Sequence, residues 1–411
     1  MSDTRYHPPP RRVTLELVTP EGEPIGRLPE VPVDEPWWPD VQAIVAAARE
    51  RYGLEVVVLR MLDTERPTPH GGGVTYLAEI STPIARSPLA AEALLPFGAT
   101  LDEQPLRLRY AKPGGPGLDL AWAEEVLAAR RIERDGPAEQ MRTWNLSSIW
   151  RLPLADGHAA WLKVVPPFFA HEGDMLRRLQ GDAVPRLLGH DGDRVLLADV
   201  DGEDLYDAAE PERLEMVSML VALQTAWIGR IDDLLRIGLP DWRGPALTPL
   251  IADVVLRRSP ELPAADASTL STFVAGMPAR YTAIAQCGLP DTLVHGDFHP
   301  GNVRGRPGKL TMLDWGDAGV GHPLLDLPAF LGTAEPASRA RIRAHWFAAW
   351  GDAVPGCDPE RADELIEPVA IARQAVIYQA FVDSIEPVER RHHDADVIDR
   401  LTRTAAAARS E

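Results

Sequence analysis

The sequence predicts an α+β protein: a mixed-sheet lobe ahead of a mainly helical lobe, both preceded by a smaller α+β module. Three observations predict it. Runs of β-branched residues dominate the early chain, and apolar residues recur with a 3.6-residue period after Glu203. Two short apolar runs, Thr292–Val294 and Lys309–Leu313, each deliver a carboxylate into a loop. At 411 residues, 45% of them apolar, the chain has room for two or three ordinary domains.

Residues 1–115 read as the small module. Val13–Leu17 alternates like a strand, and Thr19-Pro20-Glu21-Gly22 carries a turn signal. Pro39–Tyr52 sets Val41, Ile44, Val45 and Ala48 on one helical face ahead of Gly53, a helix stop. Glu55–Met61, Val74–Ile80 and Leu106–Tyr110 read as strands. The module resembles a Nudix fold, where such a strand follows a glycine-ended helix. Aligning that glycine with Gly53 leaves Glu50 but sets Arg51 and Ala47 where further metal-binding glutamates belong, which implies a non-catalytic version. His70-Gly71-Gly72-Gly73 reads as a flexible hairpin turn, since no Gly-x-Ser-x-Gly elbow accompanies it. Lys112–Gly117 is a linker by composition. Residues 116–137 hold a bridging helix, Leu118–Arg134, stopped by Asp135-Gly136-Pro137.

Residues 138–202 form the predicted sheet lobe. Ser148–Pro153 and Ala159–Val165 flank Ala155-Asp156-Gly157 as a hairpin, with Lys163 in the second strand. The next helix carries Glu172 and a buried stripe of Met175, Leu176 and Leu179. Val195–Asp199 is a further strand and Val200–Gly202 a hinge. Residues 203–411 form the helical lobe, with stripes at Leu214–Ile228 and Leu365–Val382 and a final helix over Asp394–Ala408. Arg373, Gln374, Tyr378 and Gln379 interrupt the second stripe, as residues facing a cleft would. His392-His393-Asp394 reads as a solvated patch.

The chemistry concentrates between Leu293 and Leu327. Asn302 follows Asp297 within one loop bent by Gly296 and Pro300-Gly301, and Asp314 heads the next. Two carboxylates about 4 Å apart repel by roughly 4 kcal/mol at an effective dielectric near 20, so gathering them requires a cation. Oxygen ligands with retained waters suit Mg²⁺ beside phosphates. His295-x-Asp297-x-His299 as an iron or zinc triad fits poorly, because all three crowd one turn and Asp314 is left unexplained.

His295, Gly296, Asp297, His299, Pro300, Gly301 and Asn302, followed by Asp314, Trp315, Gly321, Pro323 and Asp326, resemble the aminoglycoside phosphotransferase family. The resemblance implies a bilobal protein-kinase-like fold using ATP and Mg²⁺. It implies Asp297 as catalytic base, Asn302 and Asp314 as Mg²⁺ ligands, and His295 and Asp326 as supports of their loop. It likewise implies Lys163 on the nucleotide phosphates, with Glu172 pairing to Lys163. No Gly-x-Gly-x-x-Gly is present; the corresponding turn is Trp144–Ser148, where Ser147 and Ser148 are the phosphate-contacting candidates. The implied acceptor is a hydroxyl of a small molecule, such as an aminoglycoside or other amino sugar, with ATP or GTP left open. The alternative is a nucleotide-binding regulator or scaffold that retains the fold without turnover.

A net charge of −19 argues against nucleic acid and anionic membranes as partners and favours cationic ligands. Two cysteines, Cys287 and Cys357, fit a reducing compartment. Met1–Arg12 is polar and proline-rich rather than a leader, and no run approaches the ~20 apolar residues of a membrane span. The expectation is a cytoplasmic protein without nucleic-acid or membrane partners, with a homodimer open.

Overall fold

The computed structural model describes residues 8–409 apart from 68, 180 and 182, so the first seven residues of the polar start lie outside it. Strands β1 (Arg11–Val18) and β2 (Pro24–Val33) pair antiparallel across the expected turn, where the Gly22 N–H donates to the Thr19 carbonyl. The helix Gln42–Tyr52 follows and closes on Gly53 in the left-handed conformation, φ +64°. Strands β3 (Val57–Thr64) and β4 (Gly72–Glu79) pair antiparallel. Because β4 also runs parallel to β1, the four-stranded order is β2-β1-β4-β3. Val13, Leu15, Met61 and Tyr76 form its core with Ile44 and Ala48 of the helix.

Leu106–Tyr110 does not form the expected strand; it is irregular and ends in the short 3₁₀ turn Arg109–Ala111. Its arginines are drawn elsewhere, Arg107 to Glu386 at 2.8 Å and Arg109 to Asp193 at 3.0 Å. The bridging helix starts earlier than expected, spanning Gly115–Ala129, so the composition-based linker is partly its first turn.

A second sheet follows: β5 (Glu139–Trp144), β6 (Ser147–Pro153), β7 (Ala159–Val164), β8 (Leu187–Asp191) and β9 (Arg194–Ala198). Its order is β5-β6-β7-β9-β8, antiparallel throughout, and the β6–β7 hairpin is the one expected. Trp150, Leu152, Leu162 and Leu196 pack with Ala123 and Leu127 of the bridging helix. The Gln140 amide ties the two sheets, accepting from the Val58 N–H at 2.9 Å and donating to its carbonyl at 2.7 Å.

The chain forms two compact units. The first runs through Ala170 and adds Leu187–Asp199 and Ser384–His393; the second holds His171–Arg186, Val200–Asp383 and the chain from Asp394. The passage from Asp199 to Val200 falls at the expected hinge. His392 and His393 are not solvated but only 8% and 4% exposed. The His393 Nε2–H donates to Asn145 Oδ1 at 3.0 Å, and the His392 ring stands edge-on to Trp38 and Trp144. Glu386 and Glu389 draw this stretch inward by taking up Arg107 and the Met61 N–H.

The second unit is mostly helical, with Glu210–Ala226, Gly244–Arg258, Ala264–Gln286, Pro336–Ala353, Pro359–Ser384 and Asp396–Arg409 as its long helices. Among them lie β10 (Glu203–Asp204), β11 (Thr292–Val294), β12 (Val303–Arg306), β13 (Lys309–Met312) and β14 (Gly319–Gly321). β10, β12 and β13 form one small sheet, and β11 pairs antiparallel with β14. Pro359–Ser384 is long and apolar enough to cross a membrane, but 67% of its apolar window is buried inside the protein.

Candidate active site

The β11–β14 and β12–β13 ribbons set two acidic loops side by side. The Leu313 N–H donates to the Asn302 carbonyl at 2.7 Å, fastening the end of one loop to the start of the other. Gly296 turns the first loop at φ +92°, and a Cβ there would meet the Asp317 carbonyl oxygen at 1.9 Å, so only glycine fits. The loop then closes on the 3₁₀ turn Pro300–Asn302, whose Gly301 N–H donates to His299 Nδ1 at 3.0 Å.

Asp297, Asn302 and Asp314 all belong to this neighbourhood. The Asn302 Nδ2 donates to the Asp297 backbone oxygen at 2.9 Å and to its Oδ2 at 3.1 Å. Asp314 stands at φ +58°, a left-handed backbone uncommon outside glycine but tolerated by aspartate. Burial acts to raise the Asp297 carboxyl pKa, and the hydrogen bond and charge of His299, 3.4 Å away, outweigh it and hold the group below the ordinary aspartate range. Against its own burial, His299 is raised by the same contact; because its Nδ1 accepts the Gly301 N–H, the ring proton sits on Nε2, the atom that faces Asp297.

The supports are buried. Asp326, 0% exposed, accepts the His295 N–H at 3.0 Å and the Gly296 N–H at 2.8 Å, and Gln224 Nε2 joins it at 3.2 Å. His295 Nε2 bonds the Leu313 carbonyl at 3.0 Å, and burial keeps its pKa below the usual imidazole value. With its carbonyl partner, the neutral ring carries its proton on Nε2. Both roles match those expected of His295 and Asp326.

Arg373 was expected to face a cleft; instead it is 0% exposed and donates to the Gly296 carbonyl at 2.7 Å. Gln379, likewise expected at a cleft, is 2% exposed and accepts from Arg258. Neither the Arg373 clamp nor Gln224 carried a sequence signal. A lone arginine or glutamine in a helical stripe looks the same whichever partner it finds.

Glu172 lies in this unit, buried, and its Oε1 accepts the Trp315 N–H at 3.2 Å. It thus braces the backbone just after Asp314. Lys163, Ser147 and Ser148 belong to the first unit. Lys163 is half-buried on β7, in register with Ile149 and Val195, on the face opposite Leu162 and Val164. Ser147 and Ser148 are 6% and 1% exposed, and their hydroxyls accept from the Trp144 and Trp150 indoles at 3.2 and 3.1 Å.

A family model described as the phosphotransferase enzyme family matches residues 151–365, just over half the chain. The chain belongs to that family. The match spans Lys163, Glu172 and both acidic loops, so this phosphotransferase is a small-molecule kinase with a protein-kinase-like fold. The GDP complex of an aminoglycoside 2′-phosphotransferase IIIa point mutant superposes with TM-score 0.50 at 15% identity, covering 71% of this chain and 97% of that one. A macrolide 2′-phosphotransferase type I gives 0.48 at 19% identity, covering 68% and 97%. A choline/ethanolamine kinase family protein from Mesorhizobium loti gives 0.46 at 16%, covering 71% and 99%. No curated protein matches the chain.

The donor set suits a hard cation. The Asn302 amide nitrogen is spent on Asp297, which leaves its oxygen to serve as a ligand beside the Asp314 carboxylate.

Proposed function

We propose that this phosphotransferase moves the γ-phosphoryl group of ATP to a hydroxyl of a small molecule. The observation that carries the reading is the Asn302 amide locked onto Asp297 while the Asn302–Leu313 backbone bond holds Asp314 alongside. Asp297, kept ionised by His299, accepts the proton of the acceptor hydroxyl. Asn302 and Asp314 hold Mg²⁺, which when bound neutralises charge on the transferring phosphates. Lys163 contacts the phosphates from the sheet lobe and Glu172 orients that lysine, while Ser147 and Ser148, buried against the Trp144 and Trp150 indoles, brace the turn instead of touching phosphate. The negative protein charge favours a cationic acceptor, an aminoglycoside or other amino sugar, and family relatives named for macrolide and choline substrates widen the acceptors to be screened.

One feature favours a second reading, a nucleotide-binding regulator. Asn145, at the tip of the turn, is 4% exposed and engaged by Glu389 and His393, as in a turn held still rather than one that closes on phosphate. A screen with labelled ATP against amino sugars, macrolides, nucleosides and amino alcohols separates the two. Transfer to at least one class, falling 10²–10⁴-fold in Asp297→Asn, is expected for the kinase. Nucleotide binding with no Asp297-dependent transfer to any acceptor refutes it.

A further inference from the structure

The second unit holds a cavity of about 650 Å³ that the reaction centre does not use. It opens between the start of the helix Gly244–Arg258 and the end of the helix Ala264–Gln286. The β11–β14 ribbon fixes its place. Val294 pairs with Gly319 at the end leading to Asp297, whereas Thr292 pairs with Gly321 at the other end, where Asp291 and His322 line the cavity. The volume falls within the ~300–1,000 Å³ of small-molecule sites.

Its lining has a definite chemistry. Asp241 and Arg243 neutralise each other through two hydrogen bonds of 2.9 and 2.7 Å. Asp241 Oδ1 also accepts the Arg243 N–H at 3.0 Å, so the positive start of the following helix is already countered. His322 adds no charge: burial lowers its pKa to about 3, and its Nδ1 accepts from the Leu324 N–H. That leaves Asp291 as the wall carboxylate without a hydrogen-bond partner among the described residues; burial raises its pKa, and the charge of nearby Arg243 opposes that rise. Beside it, the Tyr281 hydroxyl is buried with no hydrogen-bond partner among the described residues. The aromatic walls are fixed in place. The Tyr281 ring fills the space a Gly244 Cβ would need, at 2.7 Å, and the Trp242 indole does the same at Gly319, at 2.1 Å. Leu289, Leu325 and Ile366 complete an apolar floor.

Besides the buried N–H groups of Trp242 and His322, which have no hydrogen-bond partner among the described residues, the wall offers the Asp291 carboxylate and the Tyr281 oxygen. Set between aromatic rings and an aliphatic floor, these suit an amine with a hydrocarbon body. We propose that this cavity is a second ligand site for a small organic ammonium ion, its charged head on Asp291 and Tyr281 and its carbon chain on Leu289, Leu325 and Ile366.

The test is calorimetric titration of the full chain with n-butylammonium, which has no hydroxyl to receive a phosphoryl group, and n-butanol as its uncharged counterpart. The site requires saturable ammonium binding, at least tenfold stronger than the alcohol, that weakens at least tenfold in Asp291→Asn. Equal binding of amine and alcohol, no amine binding at ~10 mM, or binding indifferent to Asp291→Asn in a folded variant overturns the proposal. Should Asp291→Asn not fold, Ala246→Phe fills the cavity from its wall. Loss of amine binding then supports the site, and retained binding overturns it.

Discussion

Asp314 carries two requirements in one side chain. Its φ of +58° costs an ordinary L-residue roughly 1–2 kcal/mol, and only glycine, asparagine and aspartate adopt such a backbone readily. Its carboxylate is also the proposed metal ligand. Asparagine keeps the first property and loses the charge, whereas alanine loses both. Asp314→Asn is therefore expected to unfold within about 0.5 kcal/mol of the parent, and Asp314→Ala about 1 kcal/mol earlier. Both should lose phosphoryl transfer. Urea midpoints and initial rates check the pair; an alanine variant as stable as the asparagine one would show that the backbone is not strained at this position.

Among the elements, the catalytic loop depends on a clamp from outside it. Asp326 holds consecutive N–H groups of His295 and Gly296 from below, and Arg373 holds the Gly296 carbonyl from the helix Pro359–Ser384. Asp326→Ala would leave two buried donors without an acceptor, at about 1–3 kcal/mol each. The expected result is a lower urea midpoint together with a fall in kcat. Asp326→Asn, which keeps one acceptor oxygen, should lie between the alanine variant and the parent. An alanine variant with unchanged kcat would remove the clamp from the machinery.

The loop residues of this clamp were legible because their geometry is local. Asp297 and Asn302 share one turn, and Gly296 and Pro300-Gly301 can bend the chain in few ways. The carboxylates at the ends of β11 and β13 are likewise set by strand and turn signals within a few residues. What escaped depends on distant partners. Parallel pairing of β1 with β4 leaves no mark in either strand, so the order β2-β1-β4-β3 was not foreseen. Leu106–Tyr110 alternates like a strand but lacks a neighbour to pair with. Arg373 and His392-His393 looked polar and therefore exposed, yet each is buried against a partner remote in sequence.

Over the whole molecule, the stretch Ser384–His393 returns from the helical part of the chain to complete the first unit. Its role there is electrostatic. Arg60 is 4% exposed, and burial lowers its pKa to about 10, with Arg107 adding to the effect and Glu386 and Glu389 opposing it. Arg107 meets Glu386 at 2.8 Å, with side chains 15% and 8% exposed. Two arginines from early in the sequence thus rely on two glutamates from near its end. Removing one partner of a buried pair costs about 3–5 kcal/mol because a charge is left without its counterpart, whereas removing both costs much less. Glu386→Ala should therefore destabilise the protein by about 3 kcal/mol, and Glu386→Ala with Arg107→Leu should recover part of that loss. The cycle is read from denaturant midpoints of the four proteins. Additive effects would mean that Arg107 and Glu386 are not coupled and that apolar packing around Ile385 holds the stretch instead. A positive coupling makes the early module and the late segment one electrostatic unit.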